Sequence, residues 1–341
     1  MFSHKIIHLP VLCLSVFLIM PCARADDTAM VAPLYVRNLS PVAALFGLPG
    51  QYGAQIGMAG QWQWALHGSL ASQYVVDQRQ GEWLNFDGET HQLTLAGRWV
   101  FADQWQLQLE LPWREQNGGF MDGTIDNWHD LWGMPDNGRS DVSRDLFGYR
   151  YYDSRGNSPD HAQQIFDLTS HGGMGDVSLA VQRGFYIREG FDMAFVLGYK
   201  FGTGDTKNFS GSGEGDVYAA LRFSGVAGRW PLHWHAQAGY LRAGQVAMLG
   251  MRQQRDLWFA GASLVWPLDV SWALIGQFDS HAAPMDSALD ALGDNAMMLS
   301  VGLRRHLSEH WLLDVLIIED VAVETAPDVI FQGSLRYRPG R

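Results

Sequence analysis

QWQLQLELPW, residues 104–113, alternates with a period of two. Trp105, Leu107, Leu109, Leu111 and Trp113 fall on one face, and Gln104, Gln106, Gln108 and Glu110 on the other. Successive side chains of a strand point to opposite sides, so this stretch predicts a β-strand between two different media. The tryptophans at both ends of the apolar face say which media. Aromatic rings at the two edges of an apolar band mark the interfaces of a bilayer, with lipid on the Leu/Trp side and water on the Gln side. A soluble barrel would instead turn its apolar face inward and pack it.

The same pattern recurs from residue 62 to the end. In 62–76, Trp62, Trp64, Leu66, Leu70 and Tyr74 oppose Gln63, His67, Ser69 and Gln73; in 91–101, Leu93, Leu95 and Trp99 oppose Gln92, Thr94 and Arg98. Segments 191–201, 217–223, 232–240, 272–278, 297–303, 311–317 and 329–337 follow suit. Segment 177–185 fits less cleanly, because Arg183 falls on its apolar face, and 258–266 is apolar or small on both faces. That makes about twelve strands by period. Short turns near 102–103, 187–189, 227–229, 267–269 and 308–309 alternate with polar loops at 77–90, 114–171, 202–215, 243–256, 281–295 and 319–327. Strict alternation of short and long connections predicts an all-β fold, an antiparallel up-and-down transmembrane β-barrel with tight periplasmic turns and longer external loops. Closure also removes the sheet edges that lipid cannot satisfy.

The N-terminus supplies a route to the membrane. Lys5, an apolar run over 11–20 and Ala23-Arg24-Ala25 read as a cleavable signal peptide over 1–25. A lipoprotein signal ending at Cys22 is disfavoured by Pro21 and the lack of small residues there. Cys13 and Cys22 both lie in this leader, so no disulfide, thiol chemistry or thiolate metal site is expected of the mature chain. Removing Lys5 and Arg24 leaves 22 basic against 36 acidic residues, a charge of −14, which argues against nucleic acid as a partner. No cofactor is expected. The expected partners are outer-membrane lipid, the barrel-assembly machinery and a small solute.

The expected domains are the leader, an N-terminal segment over 26–61, and the barrel over 62–341 with its external loop 114–171. Residues 32–50 hold Pro33, Pro41 and Pro49 among Leu34, Leu39, Leu45, Phe46 and Leu48. Proline lacks the donor a doubly paired barrel strand needs. The segment is also too apolar to dangle in water. It is expected either to enter the lumen as a plug, with Arg37 and Asn38 meeting charged partners there, or to lie along the periplasmic rim.

Three stretches, APLYVRNLSPVAALFGLPG (32–50), WHDLWGMPDNGR (128–139) and KFGTGDTKNFSGSGEGDVYAALR (200–222), resemble the bacterial family known as domain of unknown function 3187. The resemblance covers most of the mature chain in scattered short motifs. It implies an outer-membrane barrel and no particular activity. The glycine-rich stretch is more loosely similar to outer-membrane channels linked to uptake of aromatic compounds. One departure is the end of the chain: such barrels usually finish on an aromatic residue read by the assembly machinery, whereas this one runs past Tyr337 to Pro339-Gly340-Arg341.

Barrel enzymes exist, so candidate chemistry needs weighing. His67 and Ser69 share one strand face and resemble the His-x-Ser pair of outer-membrane phospholipase A and lipid A deacylases, where the pair faces lipid. Here it faces the lumen with Gln63 and Gln73, so a lipid-modifying enzyme is the alternative and an enzyme is not the expectation. His233 and His235 also share a lumen face, but Gln237 continues that polar stripe and lumen lining is favoured over a metal site. GTGD (202–205) and GEGD (213–216) lack the helix and lysine of a phosphate loop and read as turns. Loop 114–171 carries ten acids, five arginines and the aromatics Trp128, Trp132, Phe147, Tyr149, Tyr151 and Tyr152, which suits a cap or lid. It lacks the Asp-x-Asp-x-Asp spacing of a calcium loop.

Strand faces also give a lumen inventory. Glu110, Asp176, Asp192, Asp216, Asp279 and Asp314 face Arg98, Lys200, Arg222, Arg304 and Arg336, with His233, His235 and His306 added. An ion-selective pore would show one dominant sign. Balance predicts cross-lumen ion pairs, or a narrow passive channel for small neutral or amphipathic solutes. A non-transporting structural or envelope-assembly barrel is the further alternative. A barrel of about twelve strands has room for a narrow bore or a plug.

Overall fold

The computed structural model describes residues 28–121, 123, 145–155, 163–228, 230–322 and 324–339. The expected leader 1–25 and the stretch 128–139, with Trp128 and Trp132, lie outside the described residues. Fifteen strands occur among them: β1 (Trp62–Arg79), β2 (Glu82–Ala102), β3 (Trp105–Asn117), β4 (Gly148–Asp153), β5 (Gln163–Leu168), β6 (His171–Met174), β7 (Ser178–Arg188), β8 (Phe191–Lys200), β9 (Asp216–Val226), β10 (His233–Arg242), β11 (Asp256–Pro267), β12 (Trp272–His281), β13 (Ala296–His306), β14 (Trp311–Asp320) and β15 (Val329–Tyr337). Twelve of them form a ring of antiparallel neighbours that runs β1–β2–β3–β7 and then consecutively to β15. β15 pairs back on β1, from Trp64 opposite Tyr337 to Ser72 opposite Val329, so the barrel is closed.

The wall obeys the period of two. In β3, Trp105 and Trp113 are exposed while Gln106, Gln108 and Glu110 are buried. Leu66, Leu95, Leu197, Leu264 and Val301 stand exposed on the outer face in the same way. Aromatic rings collect at both edges of that apolar belt. Trp62 stacks on Trp99 at 5.0 Å and Trp311 lies 4.7 Å from Tyr337 at the end of the short turns. Tyr199 meets Phe201 at 4.8 Å at the other end. Arg183, the misfit of β7, lies at the short-turn rim with its guanidinium 5.0 Å over Trp105 and donates to the Asp103 carbonyl. A long cationic side chain at the rim reaches water while its stem covers apolar surface.

Two expected loops are redrawn. Residues 77–90 are a continuation of β1 and β2, which pair as far as Arg79 and Glu82 and turn on Gln80 and Gly81, both at positive φ (48° and 85°). This part of the hairpin stands beyond the ring, where one face carries Val75, Leu84 and Phe86 into the cluster with Tyr149, Tyr151 and Phe166 and no lipid imposes a continuous apolar stripe on the other. Stretch 114–171 is likewise no single loop. β3 runs on to Asn117, β4 pairs with the β2 extension, β5 pairs with β4, and β6 pairs with β3. Glu82 ties this external layer together, taking Arg155 at 2.8 Å, the Ser287 hydroxyl at 2.7 Å and the Ala288 amide at 2.7 Å. Asp153 takes Arg155 and Arg252, each at 3.0 Å. Burial alone would raise that carboxyl, but the hydrogen bonds and charges of these arginines hold it below the usual range.

Val301 and Val76 are exposed to the same degree, at 54% and 53%, but on β13 the neighbour is lipid and on the β1 extension it is water. Val301→Arg is expected to cost roughly 2–4 kcal/mol of folding free energy and Val76→Arg close to none. Urea titration of the barrel in lipid vesicles, followed by heat-modifiable gel mobility, reads both. Equal effects would refute the placement of the membrane.

Candidate functional site

The lumen holds residues 29–57 as a hairpin that enters and leaves by the end bearing the short turns, the periplasmic end of such barrels. The ascending limb is held by its carbonyls. Arg304 donates to Ala29, Met30 and Ala32 at 2.9, 3.1 and 2.6 Å, and Arg336 to Pro33 at 3.1 Å. His235 Nε2 lies 2.6 Å from the Val31 carbonyl, and Gln332 donates to that of Tyr35 at 2.6 Å. The Leu34 amide donates to Gln277 at 2.9 Å. Asn38 reaches the external side, donating to the Thr325 carbonyl at 2.9 Å and meeting His281 at 3.0 Å.

A single 3-10 turn, Ala43–Leu45, makes the apex. Arg114 donates to the Ala44 carbonyl at 3.1 Å and Lys200 to that of Leu45 at 2.8 Å, while the Gly47 amide donates to Asp216 at 2.7 Å. On the way down, Gln51 donates to Asp279 at 2.8 Å and the Ala54 amide to Ser224 at 2.8 Å. Gln182 donates to the carbonyls of Gly53 and Ala54 at 3.1 and 3.2 Å. These partners come from β3, β7, β8, β9, β10, β12, β13 and β15. The segment therefore stands inside the ring rather than against one side of it.

Proline explains this mode of holding. Pro33, Pro41 and Pro49 remove donors at intervals, so the two limbs form no ladder with each other, and buried carbonyls must find side-chain donors. Apolar contact supplies the rest. Leu34, Val36 and Leu39 pack with Val265, Ile275, Leu312, Leu316 and Ile318. Val42, Leu45, Phe46 and Leu48 join Leu241 and Phe259, and this cluster continues into Tyr149, Tyr151 and Phe166 of the external layer. The lumen face is thus not uniformly wet, as the Gln side of 104–113 led one to expect. It also explains 258–266: Trp258, Leu264 and Trp266 meet lipid, while Phe259 and Val265 meet the hairpin.

Most charged lumen positions lie in three clusters. Asp314 accepts Arg304 at 2.6 Å and Arg336 at 2.8 Å. Lys200 sits between Asp176 at 2.6 Å and Asp216 at 3.1 Å. Glu110 accepts Arg37 at 3.1 Å and the hydroxyls of Tyr35 and Tyr52 at 2.9 and 3.0 Å. Arg98 and Arg222 lie over the Tyr52 ring at 5.3 and 5.1 Å. Asp192 is half-buried beside Gln55, and His233 and His306 sit half-buried at the ends of their strands. In the glycine-rich loop, Asp176 accepts the amides of Gly204 and Ser212 at 2.8 and 2.7 Å, so the loop wraps a carboxylate of the protein itself.

His67 and Ser69 are directed to different partners. His67 meets the Ser334 hydroxyl at 2.8 Å beneath the stacked Tyr35 ring, and Ser69 donates to Gln332 at 2.8 Å. Both ring nitrogens of His235 are engaged, by Ser224 at 2.7 Å and the Val31 carbonyl. Among the described residues no cluster of three or more His, Cys, Asp or Glu forms a metal site. Tyr35, Tyr52 and Arg114 were not singled out by sequence. The polar run after Trp113 reads as a loop, yet Glu110, Pro112, Arg114 and Gln116 continue the inward register of β3. The two tyrosines belong to a segment without period and left no signal.

Arg304 is fully buried and serves both Asp314 and the carbonyls that begin the hairpin. Arg304→Met should cost about 1–3 kcal/mol, because the buried carbonyls of Ala29, Met30 and Ala32 lose their donor while Asp314 keeps Arg336. The variant in detergent should also become open to trypsin at Arg37. Unfolding midpoints and cleavage rates equal to the parent would contradict this role for Arg304.

The architecture has counterparts among solved structures. The COG4313 outer membrane channel from Pseudomonas putida F1 matches at a TM-score of 0.53 and 14% identity, over 86% of this chain and 99% of that one. The NanC porin matches at 0.45 and 6% identity over 80% and 98%, and the CymD monoaromatic hydrocarbon channel at 0.36 and 9% over 83% and 89%. The first match shows a shared outer-membrane barrel fold. No curated protein matches the sequence. Residues 9–338 match the family described as protein of unknown function DUF3187, and the chain belongs to that family.

Proposed function

We propose that this protein is a narrow passive channel of the outer membrane for small amphipathic or neutral solutes, with residues 29–57 as the element that occupies its bore. The observation that carries this reading is that the lumen is filled by a separate hairpin and not by the wall's own side chains. Both limbs leave by the same end, so the bore can empty without breaking one strand pair of the ring.

The two-sided lumen supports the solute class. Inward positions on β10–β14 are rich in apolar side chains, with Leu241, Phe259, Val265, Ile275, Leu312 and Leu316. Those on β1–β3 and β7 are mostly polar, with Ser69, Gln92, Thr94, Gln106, Gln108 and Gln182. A solute with an apolar body and a polar head meets both. The lipid-modifying alternative has no support in a His67–Ser69 contact, because each side chain bonds elsewhere.

Deleting residues 32–50 behind an intact leader tests the reading. The deleted barrel should keep its heat-modifiable mobility and show a several-fold larger conductance in planar bilayers, with faster swelling of liposomes in sugars and amino acids. Unchanged conductance from a normally folded deletion would remove the hairpin from the role of gate. Phospholipid turnover lost in His67→Ala would favour the enzyme instead.

A further inference from the structure

Three histidines of the wall hold the ascending limb of the hairpin at three heights. His235 meets the Val31 carbonyl at 2.6 Å, His67 stacks on the Tyr35 ring at 4.1 Å, and His281 meets the Asn38 amide at 3.0 Å. All three are more than nine-tenths buried, so water reaches the rings only when the limb leaves.

Their partners leave little place for a second ring hydrogen. The Asn38 side-chain oxygen accepts the Ser40 amide at 2.9 Å and its nitrogen donates to the Thr325 carbonyl at 2.9 Å, so a donor faces His281 Nε2. The His281 Nδ1 lies 2.8 Å from the Ala282 carbonyl and carries the one hydrogen of that ring. A second one, on Nε2, would point at the Asn38 N–H group. Arg37 and Asp279 line the same cavity, but Arg37 pairs with Glu110 and Asp279 accepts from Gln51 and Gln277. His235 donates through Nε2 to Val31, and its Nδ1 accepts the hydroxyl of Ser224, whose oxygen takes the Ala54 amide of the descending limb. A hydrogen on that Nδ1 would turn the Ser224 hydrogen away from its acceptor and set a charge beside Arg304 and His233. A charge on His67 would face Arg336 and Arg98, while Asp314 already serves Arg304 and Arg336. The Tyr35 that covers His67 bonds to Glu110, which is held by Arg37.

We propose that His67, His235 and His281 form an acid-operated clasp: their neutral rings hold the hairpin in the bore, and proton uptake drives it out. Released rings stand in water and take a proton near about pH 6.5. The released state then binds up to three more protons than the seated one, so falling pH favours release and rising pH favours seating. The shift sets in below about pH 6.5 and grows by up to about tenfold per histidine for each pH unit. The clasp deepens the channel reading, and rests on it in making release the opening of the bore.

Hydrogen exchange of the full mature protein in detergent micelles, at about pH 7.5 and about pH 5 and corrected for the intrinsic pH dependence, tests it. This pair of conditions spans the imidazole range and leaves ordinary carboxylates, which titrate near about pH 4, ionised. Amides of 34–47 should lose about a hundredfold or more in protection at the lower pH, while those of β13 and β14 keep theirs. His67→Asn, His235→Gln and His281→Gln together keep a neutral amide at each contact, and should hold that loss to about threefold or less. If the triple variant loses its heat-modifiable fold, His281→Gln alone replaces it and should restore about fivefold or more of the lost protection. Equal protection of the parent at both pH values, or the same loss in the parent and in the variant that folds, would overturn the clasp. Exchange in micelles does not need conduction. A hairpin that loosens in acid with no rise in bilayer conductance therefore refutes the channel alone. A barrel that conducts once 32–50 is deleted, but whose intact hairpin ignores acid, refutes the clasp alone.

Discussion

Every peptide group inside a bilayer must find its hydrogen-bond partner within the protein, since lipid offers none. The ring from β1 to β15 meets that demand by closing, with Trp64 opposite Tyr337 at the seam. The inner hairpin faces the same demand under a handicap, because its prolines break any ladder. Its carbonyls are met one by one by Arg304, Arg336, Arg114, Lys200, Gln332 and Gln182. The polar lumen is therefore polar for a structural reason first. Glutamine and arginine there substitute for the missing strand neighbours of residues 29–57.

The barrel was legible in the sequence because lipid imposes a strict rule on one face. Gln106, Gln108 and Glu110 against Leu107, Leu109 and Leu111 give the register of β3 directly. Legibility stopped where that rule stopped. Beyond the membrane, residues 73–79 and 82–90 pair as strands whose few apolar residues, Val75, Leu84 and Phe86, are too sparse among polar ones to give a period. Inside, the apolar lumen face of β11 is hidden, because a strand apolar on both sides has no period. Of the lumen inventory, the residues were readable but their pairing was not. Asp314 with Arg304 and Arg336, or Glu110 with Arg37, joins positions far apart in sequence or brought close only by register. Tyr35 and Tyr52, which complete the Glu110 cluster, come from a stretch whose conformation is dictated by its surroundings.

Charge balance across the lumen conceals a local asymmetry. The external half concentrates carboxylates around Lys200, where Asp176 and Asp216 converge on the hairpin apex. The periplasmic half concentrates guanidiniums around the hairpin's base. Such a gradient makes the electrostatic potential more positive at the inner end of the lumen than at the outer one. The apolar cluster that joins Phe46 to Tyr149 and Phe166 closes the outer end of the lumen.

The bond from Arg336 to the Pro33 carbonyl spans 303 residues of chain, and that from Arg304 to Ala32 spans 272. The first described part of the chain thus waits for the last part before it has a partner. Contacts of such long sequence separation form late, after the cost of closing the whole chain has been met. Until then the Leu and Phe residues of 34–48 remain uncovered and open to wrong associations. Because both limbs of the hairpin end at the periplasmic mouth, it need not be threaded through a finished ring, and can be the final piece seated. Maturation of this protein therefore has a natural order in time: wall first, occupant last.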